Sequence, residues 1–185
     1  MFDLNSLNPQ QRQAVEHDLG PLLLLAGAGS GKTRVITCRI SYLLQQRQVA
    51  AAQILAMTFT NKAAREMRER VEQMVGRKAC KGMVISTFHS LCVRILKSHI
   101  EKLGYKKNFS IYAASDQQRL VRDLLRDLVA DSSAKDADRV LWQISDAKNR
   151  LVSVSGFKAD IKKPDSCLTA EVYPRYQKAL KAFNA

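Results

Sequence analysis

The feature that most constrains this chain is the segment LLLLAGAGSGKTR, Leu22–Arg34. An apolar run, a glycine-rich turn and then a helical pattern predict a strand at Leu22–Leu25, a loop, and a helix over about Lys32–Arg47. In such a loop the backbone N–H groups turn toward phosphate oxygens, the lysine neutralises phosphate charge and the hydroxyl ligates magnesium. We therefore predict that this segment binds a nucleotide and Mg²⁺, with Lys32 and Thr33 as the catalytic pair and Thr33 as the metal ligand. We expect the phosphates to contact Ala28, Gly29, Ser30, Gly31, Lys32 and Thr33.

One position departs from the strict pattern of the phosphate-binding loop. The pattern G-x-x-x-x-G-K-[ST] has glycine where this chain has Ala26, although Gly27 follows directly. Alanine disfavours positive φ, so we expect ordinary backbone angles at the loop entry. The alternative interpretation is a glycine-rich turn between a strand and a helix that carries a lysine by chance.

Two more apolar runs follow the loop, and each precedes a helical pattern. They cover Ile54–Phe59 and Met83–Phe88, and the helix between them is predicted over about Asn61–Gly76. Strands that alternate with helices are typical of a parallel sheet with helical crossovers. The sequence therefore predicts an α/β fold for residues 1–90.

Beyond residue 90 the pattern is almost entirely helical. A short strand is predicted at Ser110–Tyr112, and then a helix that Ser115 or Asp116 caps and whose apolar stripe is Leu120, Val121, Leu124, Leu125 and Leu128. A polar break at Asp131–Asp138 precedes a helix around Val140–Ile144. A turn at Lys162–Ser166 precedes a last helix near Val172–Phe183. We therefore predict a helical unit over residues 91–185.

Charge and cysteine usage narrow the classes of partner and compartment. The formal charge of +13 favours a polyanion such as nucleic acid, and the alternative is a basic solvated surface. No segment approaches the ~18 apolar residues of a membrane span, so we expect no membrane partner. The cysteines and histidines are too far apart in sequence for a zinc site or a disulfide framework. They are Cys38, Cys80, Cys92 and Cys167, with His17, His89 and His99. Reduced thiols in the cytoplasm are the expectation.

Four blocks of sequence, in order, carry a family resemblance. LNPQQRQAV, AGAGSGKTR, TFTNKAAREM and ISTFHSL together resemble the first motifs of UvrD/Rep/PcrA-type superfamily 1 DNA helicases. The resemblance implies an incomplete RecA-like P-loop parallel sheet over residues 1–90, part of subdomain 1A. It also implies that residues 91–185 are most of the all-helical insertion called 1B.

The resemblance assigns roles to individual residues. It implies that Gln11 contacts adenine and that Arg34 lies near the nucleotide. It implies that two segments at strand ends meet single-stranded DNA: Phe59, Thr60, Asn61 and Lys62, and Thr87, Phe88 and His89. From the residues alone, Gln11 and Arg34 are helix-surface side chains, Phe59 packs in a core and His89 is a structural hydrogen-bonding group.

The family's magnesium-binding carboxylates, at the end of an apolar strand, have no match here. Asp123 and Asp127 lie in helical patterns, and Asp165 follows a proline turn. We expect this chain to be the N-terminal part of a bacterial cytoplasmic ATP-dependent 3′–5′ helicase of DNA replication or repair, with ATP and Mg²⁺ as cofactors. Its expected partners are single-stranded DNA and junctions of single- and double-stranded DNA, and alone it should be catalytically inactive. The alternatives are a small-molecule kinase, or a salt-sensitive nucleic-acid-binding module whose phosphate loop is vestigial.

Overall fold

The computed structural model describes residues 3–18, 20–129, 133–162 and 164–185, with the side chain of residue 164 left aside. The chain divides into two compact units, Met1–Arg94 and Ile95–Ala185. Its helices and strands alternate in the first unit, and the second is helical, so the chain is a mixed α/β protein. Along the part of the chain that the structure describes, no helix has both the length and the apolar character that crossing a membrane requires.

The first unit is built on a pair of parallel strands. Strands β1 (Leu55–Thr58) and β2 (Val84–Thr87) pair in register from Leu55 opposite Val84 to Thr58 opposite Thr87. The unit contains helices α1 (Pro9–Glu16), α2 (Lys32–Gln45) and α3 (Asn61–Val75), and α4 (Phe88–His99) begins in it and continues past the boundary at Arg94. The predicted strands at Ile54–Phe59 and Met83–Phe88 are therefore confirmed, each slightly shortened.

Two apolar clusters hold these elements together. In one, buried side chains of α2 and α3 pack against the strands, and it contains Ile40, Ile54, Ala56, Ala64, Met67, Val71, Cys80, Met83 and Ile85. The other joins α1 to α2 through Leu7, Ala14, Val15, Val35 and Cys38. Because β1 ends at Thr58 and β2 at Thr87 in the same direction, the residues that follow them lie at one edge of the sheet.

The predicted strand at Leu22–Leu25 is wrong for this structure. These residues form neither a strand nor a helix, and Leu23 and Leu25 are 81% and 88% exposed. A strand requires hydrogen bonds to a neighbouring strand, and the sheet of the described residues contains β1 and β2 alone. The apolar run therefore has strand-forming residues without a strand beside it.

The second unit packs three helices around one core. They are α5 (Ala114–Arg126), α6 (Ala134–Asn149) and α7 (Pro164–Phe183). Their core consists of Val121, Leu125, Ala137, Val140, Ile144, Ala147, Val172, Tyr173, Tyr176 and Leu180. The Ser110–Tyr112 strand is wrong: that segment has no regular structure, and the Ser110 N–H donates to the Asn184 carbonyl.

Helix starts in this unit correct three sequence predictions. Ser115 and Asp116 lie inside α5, where the Asp116 carboxylate accepts from the Ala113 N–H at 2.9 Å. Residues 131 and 132 of the predicted break lie outside the described residues, and the rest of it opens α6 behind the N-cap Ser133. Of the turn predicted at 162–166, residue 162 does lie in a turn and residue 163 lies outside the described residues. The rest begins α7, because proline suits the first helical position, where its missing N–H costs nothing.

Candidate functional site

The glycine-rich loop turns sharply into α2. Gly29 and Gly31 have φ of 75° and 88°, in the left-handed region that glycine adopts without strain. The Ser30 hydroxyl donates to the Gly27 carbonyl at 2.8 Å, which closes the turn. Helix α2 begins at Lys32, directly after Gly31. The first N–H groups of a helix have no partner within the helix. The loop therefore places free backbone donors and the positive end of a helix dipole together.

Lys32 folds back over the loop. Its ammonium donates to the Ala26 carbonyl at 2.9 Å and to the Gly27 carbonyl. Thr33, the next residue of α2, is exposed. A positive charge and a free hydroxyl thus lie at the start of α2, the two groups that a magnesium-bound phosphate needs.

Gln11 connects α1 to the loop. Its amide oxygen accepts from the Asn8 N–H at 3.3 Å, and the Asn8 side chain accepts from the Gln11 N–H at 2.8 Å, a capping box at the start of α1. Its amide nitrogen donates to the Ser30 carbonyl at 3.1 Å. An amide has two acceptor lone pairs and two N–H groups, so one of each is left for a ligand. The sequence pattern Asn8-x-x-Gln11 could have identified the capping box, but the contact with Ser30 joins residues far apart in sequence.

Arg34 contacts the N-terminal segment. Its guanidinium donates to the Ser6 carbonyl and to the Ser6 hydroxyl, both at 3.0 Å. The same guanidinium lies beside the Cys38 thiol, whose pKa burial raises and Arg34 partly lowers. In the structure Arg34 thus holds the N-terminal segment by hydrogen bonds, and its proximity to a nucleotide stays a prediction.

Two aromatic rings lie together at the sheet edge. Phe59 and Phe88 follow β1 and β2 directly, and their ring centroids are 6.3 Å apart at an angle of 52°. Phe59 is 91% exposed and Phe88 51% exposed. Burial would be the ordinary state of such rings, so the exposure of this pair needs an explanation. The core-packing alternative for Phe59 is therefore wrong.

The polar residues beside this edge divide into capping and free groups. The Thr60 hydroxyl accepts from the Ala63 N–H at 3.1 Å and caps α3. The buried Thr87 hydroxyl accepts from the Ser90 N–H at 3.2 Å and donates to the Ser90 hydroxyl at 2.9 Å. Three side chains are exposed in the first turns of α3 and α4: Asn61, Lys62 and His89.

A pocket of about 300 Å³ lies where α3 meets β2 and the start of α4, and sequence reasoning did not identify it. Asn61, Arg65, Ser86 and Ser90 are among its lining residues. The Ser86 hydroxyl is buried with no hydrogen-bond partner in the described part of the chain. Side chains alternate along β2, so Ser86 lies on the face opposite Ile85 and Thr87. This alternation could have indicated from the sequence that Ser86 faces away from them.

The acidic residues weighed from the sequence all lie on helices or at their ends. Asp123 is within α5, Asp127 follows its last turn, and Asp165 is in the first turn of α7. Within the described ranges, no three His, Cys, Asp or Glu side chains are grouped so that they could hold a metal ion.

Comparison with known proteins assigns the family. Residues 7–185 match the UvrD/REP helicase N-terminal domain, and the chain belongs to this family. It is 50% identical to ATP-dependent DNA helicase UvrD1 of Mycobacterium tuberculosis over 98% of this chain and 24% of that protein. It is 48% identical to ATP-dependent DNA helicase PcrA of Bacillus subtilis and 44% identical to PcrA of Staphylococcus aureus, over 96% of this chain and 24% of each. The chain thus spans about a quarter of the length of these relatives.

Proposed function

We propose that this chain is the N-terminal ATP-binding segment of an ATP-dependent DNA helicase. The whole protein would move 3′ to 5′ along single-stranded DNA in bacterial replication or repair, and the first unit would be part of a RecA-like domain. Family membership and relatives named as ATP-dependent DNA helicases support this proposal.

The observation that carries the proposal is the turn at Gly29–Gly31 into α2. Left-handed glycines, the unpaired N–H groups of a helix start and the Lys32 ammonium meet at one place. These are the groups that bind a polyphosphate. In this proposal Ala28–Thr33 hold the phosphates and the Thr33 hydroxyl ligates Mg²⁺, which would neutralise phosphate charge. The remaining donor and acceptor of the Gln11 amide suit an adenine edge.

DNA would cross the sheet edge. Exposed rings stack on unpaired bases regardless of sequence, and the Phe59–Phe88 pair offers two of them side by side. Asn61, Lys62 and His89 would contact the backbone of the same strand. The hydroxyls of Thr60 and Thr87 accept from N–H groups at the helix starts. We propose that both residues hold these helix starts in place beside the DNA strand as well as lying next to it.

The chain alone should bind nucleotide without turning it over. Hydrolysis in phosphate-loop enzymes requires a carboxylate at a strand end and charge stabilisation that an arginine finger supplies, worth ~10³ to 10⁵ in rate. Three acidic residues that were candidates for this carboxylate, Asp123, Asp127 and Asp165, lie on or next to helices and not at a strand end.

A titration with a fluorescent ATP analogue and Mg²⁺ tests the proposal. Lys32→Ala should abolish binding, because it removes the ammonium from the loop. Lys78→Ala is the matched control, since Lys78 is exposed in the same unit and outside the loop. Equal binding by the unsubstituted chain, Lys32→Ala and Lys78→Ala would contradict nucleotide binding at the loop. ATP turnover that Lys32→Ala eliminates would contradict the expected lack of hydrolysis. DNA affinity that falls steeply with salt and ignores nucleotide would favour the nucleic-acid-binding module instead.

A further inference from the structure

A pocket of about 610 Å³ lies in the second unit, between the end of α6, the loop that follows it and α7. Its volume falls in the range of about 300–1,000 Å³ that is typical of small-molecule sites. The pocket is separate from the phosphate loop and the aromatic edge, which both belong to the first unit. We call it the lysine pocket, and its lining residues are Lys148, Ser153, Val154, Ser155, Tyr173 and Gln177.

The loop side of the lysine pocket is held against α7 by specific contacts. The Tyr173 hydroxyl donates to the Val152 carbonyl at 3.2 Å. The Phe157 ring meets the Tyr173 ring edge-on, with centroids 6.0 Å apart. Within the loop, the Ser153 hydroxyl accepts from the Gly156 N–H at 3.2 Å. Because these walls are in place without a ligand, binding requires little ordering of the chain.

Lys148 brings a positive charge without a counter-ion. The ion pairs of the described residues do not include it, and Asp146, the acidic residue nearest to it in sequence, pairs with Arg150 at 3.5 Å. Its ammonium lies 5.5 Å from the centroid of the Tyr176 ring. Although Lys148 as a residue is exposed, burial of the ammonium lowers its pKa. An anion in the pocket would favour the charged ammonium and offset this desolvation.

Two further polar groups of the lysine pocket have capacity left for a ligand. The Gln177 Oε1 atom is buried and accepts from no donor of the described residues, which costs free energy until a donor reaches it. The Ser153 and Ser155 hydroxyls share one hydrogen bond at 3.1 Å, which uses one of their two protons and leaves the other to donate. The pocket thus combines a cation, a hydroxyl donor and an amide acceptor with the apolar side chain of Val154.

These groups match a carboxylic acid that has an N–H or O–H group on the neighbouring carbon. The carboxylate would accept from the Lys148 ammonium and a serine hydroxyl, and the adjacent group would donate to Gln177 Oε1. We propose that the lysine pocket binds an α-amido or α-hydroxy carboxylate whose small aliphatic side chain packs on Val154. A phosphodiester has acceptors without a donor, so a nucleic-acid backbone would leave Gln177 Oε1 unpaired.

The test titrates N-acetyl-L-valine into ¹⁵N-labelled chain and follows the backbone amides of Ser155 and Gly156, which should shift and saturate. N-acetyl-L-valinamide has the same N–H and side chain without the carboxylate. It should bind about 10- to 150-fold more weakly, the loss expected for hydrogen bonds to a charged group. Equal affinity of acid and amide, or no shift with the acid, would overturn the proposal, and this comparison depends on no variant that must fold.

Two substitutions separate the contributions of the cation and the amide acceptor. Lys148→Gln should weaken binding of the acid about 10- to 150-fold and leave the valinamide unchanged. Lys158→Gln is the matched control, since Lys158 is an exposed lysine of the same unit outside the pocket. Gln177→Met removes the acceptor at similar size and should weaken binding of the acid about 2- to 10-fold. Equal losses in Lys148→Gln and Lys158→Gln would show that the pocket does not bind the acid.

The carboxylate can come from a free small acid or from the C-terminus of a polypeptide. The peptide acetyl-Ala-Ala-Ala-Val with a free carboxylate distinguishes these sources. Binding tighter than that of N-acetyl-L-valine supports a polypeptide C-terminus as the ligand, and equal or weaker binding supports a free acid. These titrations contain neither nucleotide nor DNA, so their outcome is independent of binding at the phosphate loop.

Discussion

Alanine substitutions at the three loop glycines should differ in a graded way. Gly27 has ordinary φ and open space at its Cβ position, so alanine there should be neutral or stabilise by up to ~1 kcal/mol through the unfolded chain. Gly29 has φ of 75° and open space at its Cβ position. Alanine there should gain up to ~1 kcal/mol through the unfolded chain but lose ~1–2 kcal/mol to left-handed strain, so the net effect is a small loss of stability. At Gly31, φ is 88° and a Cβ would lie 3.0 Å from the Gln11 amide nitrogen.

Gly31→Ala should therefore have the largest effect of the three. The Gln11 amide nitrogen must move by a few tenths of an ångström to admit the new methyl group, which stretches its hydrogen bond to the Ser30 carbonyl and adds up to about 1.5 kcal/mol to the strain. The net loss is about 2 kcal/mol in the free energy of unfolding of the first unit.

Hydrogen exchange at the buried Ile40 amide of α2 reports the stability of this unit without the other. In the regime where exchange follows the unfolding equilibrium, a loss of about 2 kcal/mol accelerates exchange by more than tenfold. Gly27→Ala is the control and should exchange no faster than the unsubstituted chain. If Gly31→Ala and Gly29→Ala exchange at the same rate, the Gln11 contact does not stabilise the loop.

Three further predictions concern other parts of the chain. Thr60→Ala should lower the stability of α3 by about 1 kcal/mol in hydrogen exchange, and Thr60→Ser should retain it; equal losses would exclude the capping role. Phe59→Ala should weaken single-stranded DNA binding by about 1–3 kcal/mol, roughly 5- to 150-fold, whereas Phe183→Ala, an exposed ring of the other unit, should not; equal effects would mean that the sheet edge does not bind bases. Hydrogen bonds from the Ser133 hydroxyl and N–H lower the pKa of Asp136, so its contribution is present above the unfolded pKa of ~3.9 and lost as pH falls through the lower folded pKa. Protection of the first α6 amides should fall below about pH 4, and an Asp136→Asn chain with the same pH profile would contradict this.

Local patterns in the sequence predicted the elements whose signals are local. The Gly-Lys-Thr ending predicted the start of α2 at Lys32, and helical spacing predicted α3 to within a residue. Gly76, with φ of 85°, ends α3 as its position in the sequence indicated. Such features depend on a few neighbouring residues, so the sequence alone suffices for them.

Features that depend on a partner elsewhere were harder to predict. Leu22–Leu25 has the composition of a strand, but strand formation depends on a neighbour that the pattern of the run does not reveal.

One local signal was misinterpreted. The polar residues before α6 indicated a break, although acidic residues are favoured in a helix's first turn and Asp136 lies there.

Contacts between distant residues divide in the same way. The approach of Phe59 and Phe88 follows from parallel strands that end together, so the predicted sheet implied it. The Gln11–Ser30 hydrogen bond and the buried Gln177 Oε1 depend on side-chain placement, which periodicity does not specify. These features, and the pocket lined by Ser86, are what the structure adds to the candidate sites.

The most direct test of the central claim is an amide titration of ¹⁵N-labelled chain with ATP and Mg²⁺, beside an identical titration with adenosine. ATP should shift the amide resonances of Gly29–Thr33 and adenosine should leave them in place, because the phosphates make these contacts. Shifts confined to other residues, or equal shifts with adenosine, would contradict the assignment of this loop as a phosphate-binding site.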